Sequence, residues 1–208
     1  MNIINILLVD DHEIVRAGYH RLLENTKDIK IIAEANNGEK AYKIYTKLQP
    51  DVVVMDLSMP GIGGLEAACK ILKYDNTAKI LIFSVHENGT FLNRTLEAGV
   101  LGYITKRSAA KVMVEAVRKV AQNQQFIGQE MQQFLVQNNK DMFELLSPRE
   151  FEVFLLLAEG KSVNKIAEIL VLSSKTIGHH YTNVKKKLNI NNIAELTKLA
   201  ISKEFLRV

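Results

Sequence analysis

Asp51-Val-Val-Val-Met-Asp56-Leu-Ser-Met-Pro-Gly61 decides the fold, because an apolar run ends on a carboxylate and a proline-glycine pair then breaks the chain. A short Val-rich run without polar alternation reads as a parallel strand buried on both faces. The arrangement recurs three times: Asp10-Asp11 after Ile4-Asn-Ile-Leu-Leu-Val9, Ser84 after Ile80-Leu-Ile-Phe83, and Lys106 after Val100-Leu-Gly-Tyr-Ile-Thr105. Open α/β sheets build their sites at the carboxyl edge. Three carboxylates, a hydroxyl and an ammonium gathered at that edge suit a divalent metal and a phosphoryl group.

Working outward, residues 1 to about 122 alternate strand-like runs (near 4–9, 29–34, 51–55, 79–83 and 100–104) with amphipathic stretches (near 12–25, 38–48, 64–73, 88–98 and 109–121). This is the count of a doubly wound α/β domain of (βα)5 type. Pro50 precedes the third strand, Gly99 and Gly102 bracket the fifth, and Ser108 is placed to cap the last helix. The Gln/Asn-rich stretch 123–143 reads as a partly helical linker. Residues 144–208 carry only helical signals, which predicts a smaller all-α domain.

The chain has 208 residues and 47% hydrophobic content, with no run long enough to span a membrane. Its start lacks a basic n-region and a small-residue cleavage site and runs directly into a strand, which predicts a cytoplasmic protein. One cysteine, Cys69, makes no internal disulfide or cysteine zinc site and reads as an ordinary thiol in a helix. The net charge is +4, and residues 146–208 hold ten Lys/Arg against six Asp/Glu. A basic small module suits a polyanion, although a solvated surface shows the same excess.

Asp10 and Asp11 repel each other and Asp56 in an apolar crevice, and a cation is the simplest compensation. With a metal bound, Asp56 can attack phosphorus as a carboxylate nucleophile while Lys106 neutralises the equatorial oxygens and Ser84 donates a hydrogen bond. Taken singly, each residue is an ordinary polar group at a strand end. Together, Leu8-Val-Asp-Asp-His-Glu-Ile-Val-Arg-Ala-Gly18, Asp56-Leu-Ser-Met-Pro-Gly61, Phe83-Ser84 and Gly102-Tyr-Ile-Thr-Lys106 resemble the receiver domains of two-component response regulators.

That resemblance covers residues 3 to about 122 and implies a flavodoxin-like fold in which Asp56 takes a phosphoryl group from a phosphohistidine of a sensor histidine kinase. It implies that Asp11, Asp56 and the Ser58 carbonyl bind Mg²⁺, with Asp10 helping through water. Ser84 and Tyr103 would be a switch pair coupled to the face of the fourth helix, fifth strand and fifth helix. On sequence alone Tyr103 reads equally as a static core-edge residue, and His12 and His86 as flanking rather than catalytic groups. Arg107 stands where many receivers have proline.

In the C-terminal module, Ser147-Pro-Arg-Glu150 is a capping box that opens a helix ending near Gly160. Two short helices and a tight turn follow, which is a helix-turn-helix. On the second of these, Ile177, His180, Tyr181, Val184 and Leu188 share an inner stripe, and Lys175, Gly178, His179, Thr182 and Lys186 an outer one. The outer stripe, with Thr176 at its start, suits the major groove of double-stranded DNA. His179 and Thr182 are placed for base edges, and Lys175, Lys185, Lys186 and Lys187 for phosphates. The three consecutive lysines are also what a solvated helix C-terminus carries.

Leu146-Ser-Pro-Arg-Glu150, Leu156-Leu-Ala-Glu-Gly-Lys-Ser162, Ser174-Lys-Thr-Ile-Gly-His-His180 and Lys187-Leu188 resemble the LuxR-type helix-turn-helix. Ile193 replaces an arginine common in that family. The two resemblances together point to the NarL/FixJ class, and Gly61-Ile-Gly-Gly-Leu-Glu-Ala67 to its GacA/UvrY branch. They imply a transcription regulator, not an enzyme, that forms a homodimer when phosphorylated, with Asn192–Ser202 as the contact. A phosphohydrolase of the haloacid dehalogenase type would need an acid two residues after the nucleophile, where this chain has Ser58. A ligand-governed LuxR regulator would need an aromatic pocket domain, and the chain has no Trp. A DNA binder whose receiver works without phosphorylation fits the same residues.

Overall fold

Each apolar run becomes a parallel strand in the computed structural model, which describes residues 3–108, 110–135, 142–203, 205 and 206. The chain divides into two units, Met1–Asn138 and Asn139–Val208. In the first, β1 (Ile4–Val9), β2 (Ile29–Ala35), β3 (Val52–Met55), β4 (Ile80–Ser84), β5 (Gly102–Thr105) and β6 (Phe126–Ile127) form one sheet in the order β2-β1-β3-β4-β5-β6. All pairings are parallel. The helices between them are α1 (Glu13–Glu24), α2 (Gly38–Leu48), α3 (Gly63–Tyr74), α4 (Gly89–Glu97) and α5 (Ala110–Ala121).

The order reverses at β1, and β1 and β3 lie side by side, so the switch point sets Asp10 beside Asp56. Central strands show the double burial expected of them: every residue of β3 and β4 is buried. Met113, Ala116, Val117 and Val120 of α5 pack with Leu23 of α1 against Leu8, Val54, Leu81, Phe83 and Ile104. Each large side chain so buried contributes roughly 1.5–3 kcal/mol.

The stretch read as a partly helical linker does hold a short helix, and it also contributes to the sheet. Phe126 pairs with Gly102 and Ile127 with Tyr103, and α6 (Gln129–Gln132) follows. Two residues make a weak strand alone, but the exposed edge of β5 supplies the missing hydrogen-bond partners. Residues 136–141 of the expected linker, and Ala109 at the cap expected from Ser108, lie outside the described residues.

The second unit holds a 3₁₀ turn (Met142–Leu145), α7 (Pro148–Ala158), α8 (Val163–Leu170), α9 (Ser174–Leu188) and α10 (Ile193–Ser202). The Ser147–Glu150 capping box forms as expected. Phe143, expected in the linker, is fully buried, with ring centroids 4.9 Å from Phe154 and from Phe205 and 6.0 Å from Phe151. Its aromatic surface makes it part of this core. Among the described residues no helix is long and apolar enough to cross a membrane.

Candidate functional site

β1 delivers Asp10 and β3 delivers Asp56 to one end of the sheet, where the Asp56 N–H donates to the Val9 carbonyl at 2.9 Å. Both carboxylates are almost wholly buried, at 2% and 1% exposure. β5 brings Lys106, whose N–H donates to the Ser84 carbonyl at 2.8 Å. The Lys106 Nζ lies 2.6 Å from an oxygen of Asp10 and 2.6 Å from one of Asp56. One ammonium thus bridges two carboxylates that would otherwise be costly neighbours in an apolar crevice, and offsets part of their charge.

Burial pushes the Asp56 carboxyl up from its ordinary value, with the Lys106 charge opposing and Asp10 adding to the rise. Burial alone would lower Lys106, but Asp56 and Asp10 outweigh it and raise the ammonium. Asp10, Asp11, His12 and Asp56 each present a ligand atom within 4.8 Å of the others. An oxygen-rich donor set of this kind suits Mg²⁺, which takes a few carboxylates and keeps several waters. His12 is exposed, and its ring lies 2.8 Å from Asp11 and 3.2 Å from Asp10.

The loop after β3 is held closely. A Cβ on Gly64 would fall 1.8 Å from the Asp56 carbonyl oxygen, so only glycine lets α3 start against this loop. The Gly64 N–H donates to the Leu57 carbonyl at 2.9 Å, and the Ser58 N–H reaches Asp56 Oδ1 at 3.3 Å. The Ser58 hydroxyl is 2.8 Å from His86 Nε2, and the His86 ring stacks on Phe91 at 3.9 Å. Burial, helped by the Lys106 charge, lowers His86 to about 4, so the imidazole is neutral at pH 7.

Ser84 is fully buried, and the His86 N–H donates to its hydroxyl at 3.3 Å. The Tyr103 ring is turned inward and fully buried, and its phenol donates to the His86 carbonyl at 2.8 Å. Burial, opposed by a hydrogen bond with Ser84, pushes that phenol well up. The site thus gathers Asp10, Asp11, Asp56, Ser58, Ser84, Tyr103 and Lys106, all of which sequence reasoning had named. It missed His86 as the link between the β3 and β4 loops and Gly64 as the constraint on Asp56. The Gly63-Gly64 pair at a helix start was the available signal for the latter.

In the second unit, α8 and α9 form the helix-turn-helix, with the Ser173 hydroxyl capping α9 and Ser174 donating to Asn164 at 2.8 Å. Ile177, Val184 and Leu188 are buried, while Lys175, His179, Thr182 and Lys186 are exposed, as the helical phase predicts. Thr176 and Gly178 are half-buried, and a Cβ on Gly178 would meet nothing within 4 Å. The Thr182 hydroxyl donates to the Gly178 carbonyl at 2.9 Å, and Lys185 lies over the Tyr181 ring. Lys187 departs from the expected phosphate-facing role. It falls one turn from buried Val184, and its ammonium donates at 2.6 Å to Glu150, a buried carboxylate of α7.

The sequence matches the response regulator receiver domain over residues 6–118 and the luxR family of bacterial regulatory proteins over residues 144–200. It is 42% identical over 204 residues to the response regulator UvrY of Escherichia coli K12, covering 95% of this chain and 94% of that protein. It is 37% identical to the response regulator GacA of Pseudomonas aeruginosa, with 95% of each chain covered. Among solved structures it is similar to RcsB from Salmonella enterica serovar Typhimurium bound to promoter P1flhDC in the presence of the phosphomimetic BeF3−. That match has a TM-score of 0.69 at 26% identity and covers 97% of this chain and all of that one.

Proposed function

The chain belongs to the response regulators, with a receiver domain followed by a LuxR-type DNA-binding domain, and from that premise we propose that phosphorylation of Asp56 switches its binding to double-stranded DNA. The observation that carries this reading is the Lys106 ammonium, 2.6 Å from the Asp56 carboxylate at the carboxyl edge of the sheet. A carboxylate oxygen of Asp56 attacks the phosphorus of a phosphohistidine on a sensor histidine kinase. The P–N bond breaks, the imidazole keeps the electron pair, and an acyl phosphate forms on Asp56.

Lys106 stabilises the charge that gathers on the transferring oxygens, and the Ser84 hydroxyl donates to one of them. Asp11, Asp56 and the Ser58 carbonyl would hold Mg²⁺, with Asp10 assisting, and the ion would supply charge neutralisation for the phosphoryl group. Movement of the Ser84 hydroxyl toward the new anion, with Tyr103 beside it, couples the pocket to the face of α4, β5 and α5. The chain then works as a cytoplasmic homodimer, with α10 as the contact.

On DNA, Lys175, Lys185 and Lys186 touch phosphates, while Thr176, His179 and Thr182 approach base edges and Gly178 lets the helix backbone come close. The direct test is mass spectrometry of the chain after incubation with acetyl phosphate and Mg²⁺. Wild type takes up one phosphoryl group, and Asp56→Ala and EDTA-treated wild type take up none. Uptake by Asp56→Ala contradicts the assignment.

A further inference from the structure

Glu130 lies in the stretch between the receiver strands and the DNA-binding unit, yet its carboxylate reaches back across the sheet edge. The Thr105 hydroxyl donates to Glu130 Oε1 at 2.8 Å, and the Ser108 hydroxyl donates to the same oxygen. These two donors flank Lys106 in the chain, and Thr105 is fully buried. The turn they belong to is closed by the Ser108 N–H on the Thr105 carbonyl at 3.0 Å.

The segment bearing Glu130 is docked along its length. Phe126 N–H donates to the Leu101 carbonyl at 3.0 Å, and Gly128 N–H to the carbonyl of Tyr103 at 2.8 Å. Met131 is fully buried, and a Cβ on Gly89, the first residue of α4, would lie 3.2 Å from the Phe134 ring. Burial alone would raise the Glu130 carboxyl, but the bonds from Ser108, its own N–H and Thr105 hold it below its ordinary value. It is an anion at neutral pH, and its two hydroxyl bonds are charge-assisted.

We propose that Glu130 is a positioning residue for Lys106: it fixes the Thr105–Ser108 turn that aims the ammonium at Asp56, and through that turn Phe126–Gln132 senses the state of the pocket. The proposal rests on the reading of Asp56 as phosphoacceptor. When a phosphoryl group draws Lys106 away from Asp10, the turn shifts and the Glu130 bonds loosen. The same bonds aim the ammonium at Asp56 before the phosphoryl group arrives, so their loss slows phosphoryl uptake.

The test uses the full chain as wild type, Glu130→Ala and Glu130→Gln, whose amide oxygen still accepts one hydroxyl. Phosphoryl uptake from acetyl phosphate with Mg²⁺ is followed by mass spectrometry, and amide hydrogen exchange over 126–132 before and after uptake. Glu130→Ala slows uptake roughly three- to tenfold, the scale of one or two hydrogen bonds, and Glu130→Gln slows it less. Exchange over 126–132 rises several-fold on phosphorylation of wild type, and is already raised and insensitive to phosphorylation in Glu130→Ala. Raised exchange in Glu130→Ala with unaltered uptake makes the residue merely structural and overturns the proposal. So does a variant that matches wild type in both readouts. No uptake by wild type instead overturns the Asp56 reading, and this proposal with it.

Discussion

The acidic pocket and the outer face of α9 solve opposite problems. In the pocket Asp10, Asp56, Ser84 and Tyr103 are buried, and its groups are already answered by others of the chain: Lys106 by Asp10 and Asp56, Ser58 by His86, Tyr103 by the His86 carbonyl. On α9 the exposed Lys175, His179 and Lys186 project from a helix whose other face is the core. A pocket that acts on a small anion must be pre-organised, because fixed dipoles and charges need no reorganisation when the reaction occurs. A face that meets DNA keeps its cations solvated until the phosphates arrive. Substitutions in the pocket should therefore disturb chemistry and fold together, and those on α9 should separate binding from stability.

The largest effect is expected where the pocket touches the backbone. Gly64→Ala sets a Cβ against the Asp56 carbonyl and should destabilise the first unit by about 3 kcal/mol, as overpacking against backbone does. Thermal denaturation of the variant checks this, and an unchanged transition would mean that α3 is free to back away from Asp56.

The next largest effect is expected at an ion pair of α9. Lys187→Ala leaves the buried Glu150 without its cation and should cost the second unit about 1–2 kcal/mol, reduced from a fully buried pair because Lys187 is 39% exposed. Lys186→Ala, one residue away, should leave stability within about 0.5 kcal/mol, weaken DNA binding on all sequences, and reduce the salt slope by about one. Urea titrations and binding isotherms at several salt concentrations distinguish the two lysines.

Glu150 also gives that unit a pH signature. Burial alone would raise its carboxyl, but Lys187 and the Ser147 N–H outweigh burial and hold it below the ordinary value of 4.5. With a depressed folded value, its contribution is complete above the unfolded value and is lost as pH falls through the folded one. The stability of wild type should fall below about pH 4.5 more steeply than that of Glu150→Gln, which starts lower at pH 7. Parallel acid titrations of the two would remove Glu150 from the account.

A stabilising effect is expected at Gly178, where nothing in the chain opposes a methyl group. Gly178→Ala should stabilise α9 by roughly 1 kcal/mol while weakening binding to specific DNA. Unchanged affinity would show that the backbone does not approach the duplex there.

The same contrast explains what the sequence made legible. Strands buried on both faces read as unbroken apolar runs, so the ends bearing Asp10, Asp56, Ser84 and Lys106 could be located by inspection. Helical phase separated Ile177, Val184 and Leu188 from the outer face of α9 for a similar reason. It did not find Lys187, because its partner Glu150 is 37 residues away in the chain. β6 was hidden because two apolar residues in a Gln-rich stretch gain strand character only from the edge of β5. The bonds of Glu130 to Thr105 and Ser108 likewise span 25 and 22 residues. Phe143 looked like linker because a 3₁₀ turn has no long period, although the neighbouring Phe151 and Phe154 indicated where an aromatic would go.

The central claim is that the state of Asp56 governs what α9 does. Binding of labelled promoter fragments should be measured for wild type and Asp56→Ala, each with and without acetyl phosphate and Mg²⁺. The phosphodonor should sharpen sequence-specific binding of wild type and leave Asp56→Ala unchanged. Identical binding by both proteins in every condition would contradict that claim.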